Sequence, residues 1–266
     1  MSADHSISFR WLGTRDWREV HALQLRMRDR VVLGASPGEV LLVEHPSVIT
    51  AGRQATRRDL EVSEEALRSR GIGFVRAERG GHLTLHLPGQ LVIYPVVSLE
   101  RLRMGVHRFM QVLGEAIVEW LSAQRVAALW KDDAPGVWVG PAGARKIASV
   151  GVHVHKQVPI HGVSLNLTPD LRAFQLLRPC GFSSDVMTSL EAERGHAIPL
   201  LSAARELMPR LASGLGVEGV WVDSACDRES KFRLGVIDAV ATHNLHTCGC
   251  THRTRTCHDQ RAHLSG

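Results

Sequence analysis

The chain has 266 residues, 44% hydrophobic and 22% charged, with a formal net charge of +5. That suits a globular domain with a sizeable core and no need of disulfides or a structural metal. Lys and Arg are dispersed with no stripe and no recognisable module, which excludes nucleic acid as the partner; no run of about 18 apolar residues exists, which excludes a membrane span.

The opening stretch Met1–Trp17 carries charges of both signs and no apolar segment, so no secretory signal is predicted and a cytoplasmic location is expected. The five cysteines are Cys180, Cys226, Cys248, Cys250 and Cys257. An odd count, with one alone mid-chain, makes a poor disulfide framework, so the thiols are read as free.

A first helix is predicted across Arg15 to Val32. Glu39 to Glu44 is a short apolar run suited to a buried strand and closed by His45-Pro46. Ser63 is an N-cap before Glu64 and Glu65, opening a short helix that stops at Gly71. Phe74 to Pro95 reads as a hairpin: Leu83, Leu85 and Leu87 alternate with His82, Thr84 and His86, Pro88-Gly89 turns, and Gln90 to Tyr94 returns.

A long amphipathic helix runs from about Met104 to Arg125. Strands follow at Gly136–Val139, Ile147–His155 and Val163–Leu167. Ser202 to Leu215 reads as a helix containing Pro209 and ended by Gly216. The order is mixed, without regular βαβ alternation, so the predicted class is α/β, a mixed β-sheet with packed helices. From about Ala241 the chain holds almost no large apolar residues. The predicted organisation is therefore a domain over 1–240 and a disordered Cys/His-containing tail over 241–266.

Several residues invite chemistry. In Arg79-Gly80-Gly81 the glycines allow a ligand close to the main chain, and the Arg suits a carboxylate or carbonyl; a plain glycine turn with a surface Arg fits equally. His82 and His86 share a strand face, as do His153 and His155. No Asp, Glu or Cys in those strands completes a ligand set, so no metal is expected there. Cys180 lies between Pro179 and Gly181, at a turn, where a neighbouring cation such as Lys146 would favour the thiolate. Taken locally, a small buried structural cysteine fits Cys180 better. In the tail, Cys248, Cys250, Cys257 and His258 offer soft-metal donors without the paired spacing of a zinc ribbon.

Together these segments form a series. It runs through Glu44-His45-Pro46, Thr50-Ala51-Gly52-Arg53, Arg79-Gly80-Gly81, Thr84, His86, Pro88-Gly89-Gln90 and Tyr94-Pro95. It continues through Gly136-Val137-Trp138, Lys146 to Gly151, His161 to Asn166, Pro179-Cys180-Gly181 and Thr188-Ser189-Leu190. In order and spacing the series resembles the lipoyl(octanoyl) transferases, octanoyl-carrier-protein:protein N-octanoyltransferases.

The resemblance implies a biotin/lipoate protein ligase-like catalytic domain, with no cofactor and no metal. It implies ping-pong acyl transfer from octanoyl-acyl carrier protein to a lysine of lipoyl domains, those of 2-oxoacid dehydrogenase complexes and the glycine cleavage H protein. Cys180 would carry the octanoyl thioester, and Lys146 would lower its pKa and take the proton of the incoming amine. The acyl pocket would comprise Arg79, Gly80, Gly81, His82, Leu83, Thr84, Leu85 and His86, with Ser149, Val150, Gly151, Gly162, Val163 and Ser164. Their small residues would leave room for the chain and offer N–H groups to the carbonyl oxygen.

Leu85 and Leu87 depart from the family's aromatic and glycine, which predicts a reshaped hairpin tip and a narrower pocket entrance. Two other readings remain open: an ATP-dependent lipoate or biotin ligase, which would need no cysteine, and a non-catalytic binder of acyl-carrier or lipoyl domains.

Overall fold

Two strands with unbroken apolar runs organise the chain. The structure is a computed structural model and describes residues 6–177 and 186–223. In β2 (Gly38–Glu44), Val40 and Leu42 join one core while Leu41 and Val43 join another. β6 (Gln90–Val97) divides its side chains likewise, Leu91 and Ile93 from Val92 and Tyr94. A strand covered on both faces has no reason to alternate, hence the continuous runs.

On one face lie α3 (Val106–Ala123) and α5 (Leu200–Leu215), whose Phe109, Ile117, Trp120, Leu207 and Leu211 build the main core. On the other, α1 (Trp17–Val32) brings Val20 against Leu41, Val92 and Tyr94. Local chemistry sets the helix ends. Asp16 accepts from the Arg18 N–H at 2.8 Å to cap α1, and Ser63 caps α2 (Glu64–Ser69) through the Ala66 N–H at 3.2 Å. Ser189 caps the short α4 (Leu190–Arg194), and Gly216, at φ +69°, closes α5.

The remaining strands of the large sheet are β1 (Ser6–Thr14), β7 (Ala128–Lys131), β8 (Gly136–Val139), β9 (Arg145–His155), β10 (Val158–Asn166) and β11 (Glu218–Asp223). Their order is β11-β1-β2-β6-β10-β9-β8-β7. β1 is parallel to β2 and β11, and the other pairings are antiparallel. A smaller sheet has the order β4-β3-β5, from β3 (Val48–Ala51), β4 (Gly73–Arg76) and β5 (Leu83–His86). The architecture is the mixed α/β one read from the sequence.

The hairpin expected over Phe74 to Pro95 does not form. β5 pairs with β3 in the small sheet, and β6 pairs with β2 and β10 in the large one. Pro88-Gly89 therefore turns the chain from one sheet into the other. Gly89, at φ +88°, gives its N–H to Glu44 Oε1 at 2.8 Å, and its carbonyl accepts from Leu167 and Thr168 at 3.1 and 2.9 Å. A Cβ there would lie 2.6 Å from the Thr168 carbonyl, so only glycine fits. Cys180, Cys226, the boundary near residue 241 and the tail with Cys248, Cys250, Cys257 and His258 lie outside the described residues.

Candidate active site

The two sheets face each other across a narrow cleft, and strand alternation decides which side chains enter it. In β5, Leu83 and Leu85 turn into a small core with Ile49, Phe174 and Leu177, while Thr84 and His86 face the cleft. This corrects the expected unbroken pocket run from Arg79 to His86. Leu83 and Leu85 point away by the period of the strand, and His82 lies at a neighbouring cavity, paired at 3.2 Å with Asp59.

The facing wall comes from β9 and β10, where Gly151 stands opposite Gly162, Val150 opposite Val163 and Ser149 opposite Ser164. All six line the cleft, with Arg79, Gly80 and Gly81 closing one side. The cleft is about 60 Å³. It shares Gly80, Gly81, Val150 and Gly151 with an adjoining cavity of about 440 Å³ into which Lys146 opens.

Arg79 is 7% exposed, not the surface residue of a plain turn. Its guanidinium donates to the Thr50 carbonyl at 2.6 Å, to Thr50 Oγ1 at 2.9 and 3.1 Å and to the Gly80 carbonyl at 3.0 Å. The main chain ties the loop further: Gly52, Arg53 and Gln54 donate to the carbonyls of His82, Arg79 and Gly81 at 2.9, 3.0 and 3.1 Å. The Gly80 N–H is spent on Val152 O at 3.3 Å, so it is not available to a substrate oxygen.

Two imidazoles, His86 and His161, line the cleft and a third, His45, backs His86, each held neutral. His86 gives Nδ1–H to Gln90 Oε1 at 3.3 Å, since the Gln90 amide nitrogen is itself donating to Leu85 O at 3.0 Å; Nε2 then keeps the lone pair. Burial first, then His45 and Arg79, holds its pKa well below the ordinary histidine value. His45 donates from Nδ1 to Arg15 O at 2.8 Å, so its Nε2 accepts from the Tyr94 hydroxyl at 3.0 Å. Burial lowers the His45 pKa as well.

His161 stacks in a ladder with His21 and Trp17, ring centroids 5.3 and 6.1 Å away. It is a non-glycine at φ +64°, a conformation that only surrounding structure sustains. Its N–H donates to Gln24 Oε1 at 2.7 Å. Burial above all, with His21 and Arg79, pushes its pKa down to about 3.

The sign of the consequence is fixed. Between pH 6.5 and about 3 the unfolded chain binds a proton on this imidazole that the folded chain refuses, so stability falls as pH falls through that window. Acid titrations of urea midpoints should show a shallower slope in His161→Phe than in the parent. An unchanged slope would refute the assignment.

Lys146 is 3% exposed. Its Nζ lies 5.1 Å from the centroid of the Trp138 ring. Its carbonyl accepts from the Thr188 N–H at 3.0 Å, and Lys146 bridges in parallel to Met187. The partner segment is itself clamped. Asn166 Nδ2 donates to Thr188 O at 2.8 Å, Thr188 Oγ1 to Glu193 Oε1 at 2.6 Å, and Arg145 holds both Glu193 oxygens at 2.7 and 2.8 Å. The geometry joins a buried amine to a slot lined by glycines. Among the described residues no group of three or more His, Cys, Asp or Glu could hold a metal ion.

Residues 16–212 match the family model of the lipoyl protein ligase A/B catalytic domain. An octanoyltransferase of Maridesulfovibrio salexigens is 37% identical over 187 residues, 70% of this chain and 86% of that one. One from Bacteroides fragilis is 34% identical over 214 residues, 76% of this chain and 97% of that one.

The chain belongs to this family, among its octanoyltransferases.

It is accordingly an enzyme, an acyltransferase. The fold is also that of a bi-partite lipoate protein ligase of Thermoplasma acidophilum, with TM-score 0.63 at 15% identity over 82% of this chain and 87% of that one. In this acyltransferase the cleft draws on residues that sequence reasoning had not assigned to it: Trp17, Thr50, Val92, Tyr94 and His161. Thr50, Tyr94 and His161 stood inside the motif series, which was the available signal. Trp17 had none, since its place follows from how α1 crosses the sheet.

Leu87 corrects another expectation. It is buried with Leu83, Leu85 and Phe174, does not line the cleft and has no positive φ. Its branched side chain supports the small core and narrows no entrance. Among the described residues no helix is long and apolar enough to cross a membrane.

Proposed function

We propose that the protein moves an octanoyl group from the thioester of acyl carrier protein to one lysine of a lipoyl domain, in two steps through Cys180. The acceptors are lipoyl domains of 2-oxoacid dehydrogenase complexes and the glycine cleavage H protein. The Cys180 thiolate adds to the donor's carbonyl carbon, and the carrier's thiolate leaves and takes a proton. The acceptor amine then adds to the new thioester and Cys180 leaves as thiolate, so one C–S bond is exchanged for one C–N bond. Lys146, as the ammonium, stabilises the Cys180 thiolate and gives its proton to the departing carrier thiolate in the first step; as the free amine it then receives the proton that the acceptor amine gives up in the second. A hydrogen bond to the carbonyl oxygen is assigned to Gly81, whose N–H meets no acceptor among the described residues.

One observation carries the reading. Lys146 is buried at a glycine-walled slot and is paired through its main chain to Met187 and Thr188, the segment that follows Cys180 in sequence. The relatives' names support octanoyl as the acyl group. The likeness to ligases is of fold only.

Intact-mass measurement after mixing with octanoyl-acyl carrier protein should show one octanoyl adduct, absent in Cys180→Ser. No adduct at any pH from about 6 to 9, the range that brackets a perturbed thiol, overturns the proposal. Product formed from free octanoate and ATP without carrier protein would favour a ligase instead.

A further inference from the structure

Lys146 is a long, flexible cation taken almost wholly out of water, and such a group works only if something fixes it. The structure assigns that task to Trp138, as a positioning residue that acts through Lys146; the inference rests on the reading of Lys146 and Cys180 given above. The indole has an anchor of its own. Trp138 is buried in β8, and its Nε1–H donates to Ala134 O at 2.9 Å. Its ring faces the Lys146 ammonium at 5.1 Å. Attraction between a cation and the negative face of a ring is strongest for Trp and grows as water is excluded.

The same indole carries a second cation, the Lys131 ammonium at 4.6 Å from the ring centroid. Lys131 has its own anchor, donating to Gly143 O at 2.8 Å, and does not line the cavity into which Lys146 opens. It therefore serves as an internal control. Removing it disturbs the indole's surroundings without touching Lys146.

The test is the rate of Cys180 alkylation by iodoacetamide at neutral pH, read by peptide mass mapping because the chain has five cysteines. Lys146→Ala should slow it about tenfold or more, the loss of thiolate for one unit of thiol pKa. Trp138→Leu should slow it about two- to thirtyfold, with Trp138→Phe between it and the parent. Lys131→Met should stay within about twofold of the parent, the range of a surface change. The deciding variant is Trp138→Leu combined with Lys146→Ala, which should match Lys146→Ala alone.

Multiplying effects in the double variant would overturn the inference, as would an unaffected Trp138→Leu or an equal loss in Lys131→Met. Trp138→Phe keeps the packing, so it answers the question if Trp138→Leu does not fold. Unchanged alkylation in Lys146→Ala would instead sink the underlying reading of the pair, a separate outcome.

Discussion

Gly52→Ala is expected to cut acyl transfer by about a hundredfold or more while the protein still folds. A Cβ at that position would overlap the Gly81 carbonyl oxygen and lie 2.9 Å from the Gly80 carbonyl oxygen and 2.7 Å from Arg79 Nη1. Something must move, and the alternatives are unequal. Gly52 follows β3, which is held between β4 and β5. The Arg79-Gly80-Gly81 loop borders both the cleft and the adjoining cavity, and it yields toward them.

Displacements of about 1 Å in a substrate-positioning wall cost on the order of a hundredfold in rate. Steady-state assays with octanoyl carrier protein should therefore show kcat/KM lower by about a hundredfold or more. Thermal melts should show a loss of only a few degrees, because the loop lies outside the main core. Near-parental activity would mean that β3 gives way instead, and that the loop's position does not set the rate.

Gly136→Ala should strike both stability and activity. Gly136 sits at φ +152°, and its Cβ would lie 2.5 Å from Lys146 Cε, 3.1 Å from Lys146 Nζ and 2.6 Å from Ala148 O. The carbonyl belongs to β9 and cannot retreat without opening its pairing with β8. A cost of about 1–3 kcal/mol in stability follows from backbone strain and overpacking. The lysine, pushed from its seat, should lose at least about tenfold in alkylation-measured thiol activation.

Gly195→Ala separates the two contributions. Gly195 is at φ +76° with nothing within 4 Å of an added Cβ. That variant should show the strain in a melt and no change in activity. If Gly136→Ala behaves like Gly195→Ala, the contact with Lys146 has no functional weight.

What the sequence revealed and hid follows from which interactions are local. The start of α2 was readable because Ser63 acts on an N–H group three residues away. β2 and β6 were readable because two-sided burial writes a solid apolar run. The hairpin failed for the complementary reason. Alternation and Pro88-Gly89 specify two strands and a turn, but the partner of each strand is chosen elsewhere, by β3 for one and by β2 and β10 for the other. β1, β3, β7 and β11 were missed; β3 and β7 are only four residues long, and β1 and β11 owe their place to parallel pairing across the whole domain.

The site shows the same division. Thr84, His86, Gly151 and Ser164 belong to motifs that the chain displays openly. That Leu83 and Leu85 leave the cleft follows from the register β5 takes on β3, which no local pattern reveals. Trp17 enters because α1 crosses β6 and β10, a long-range fact with no local trace.

The corner at Pro88-Gly89 carries a mechanical meaning. Its two arms belong to opposite walls of the slot, and the corner is bolted to both Glu44 and Thr168. The gap between the walls is thus gauged by covalent chain and main-chain hydrogen bonds, as in a fixed-jaw spanner, and not by whichever side chains happen to line it. Calibre and depth become separable properties. Under the function proposed above, substitutions along the cleft should retune the length of chain accepted, while its slenderness is set by the backbone.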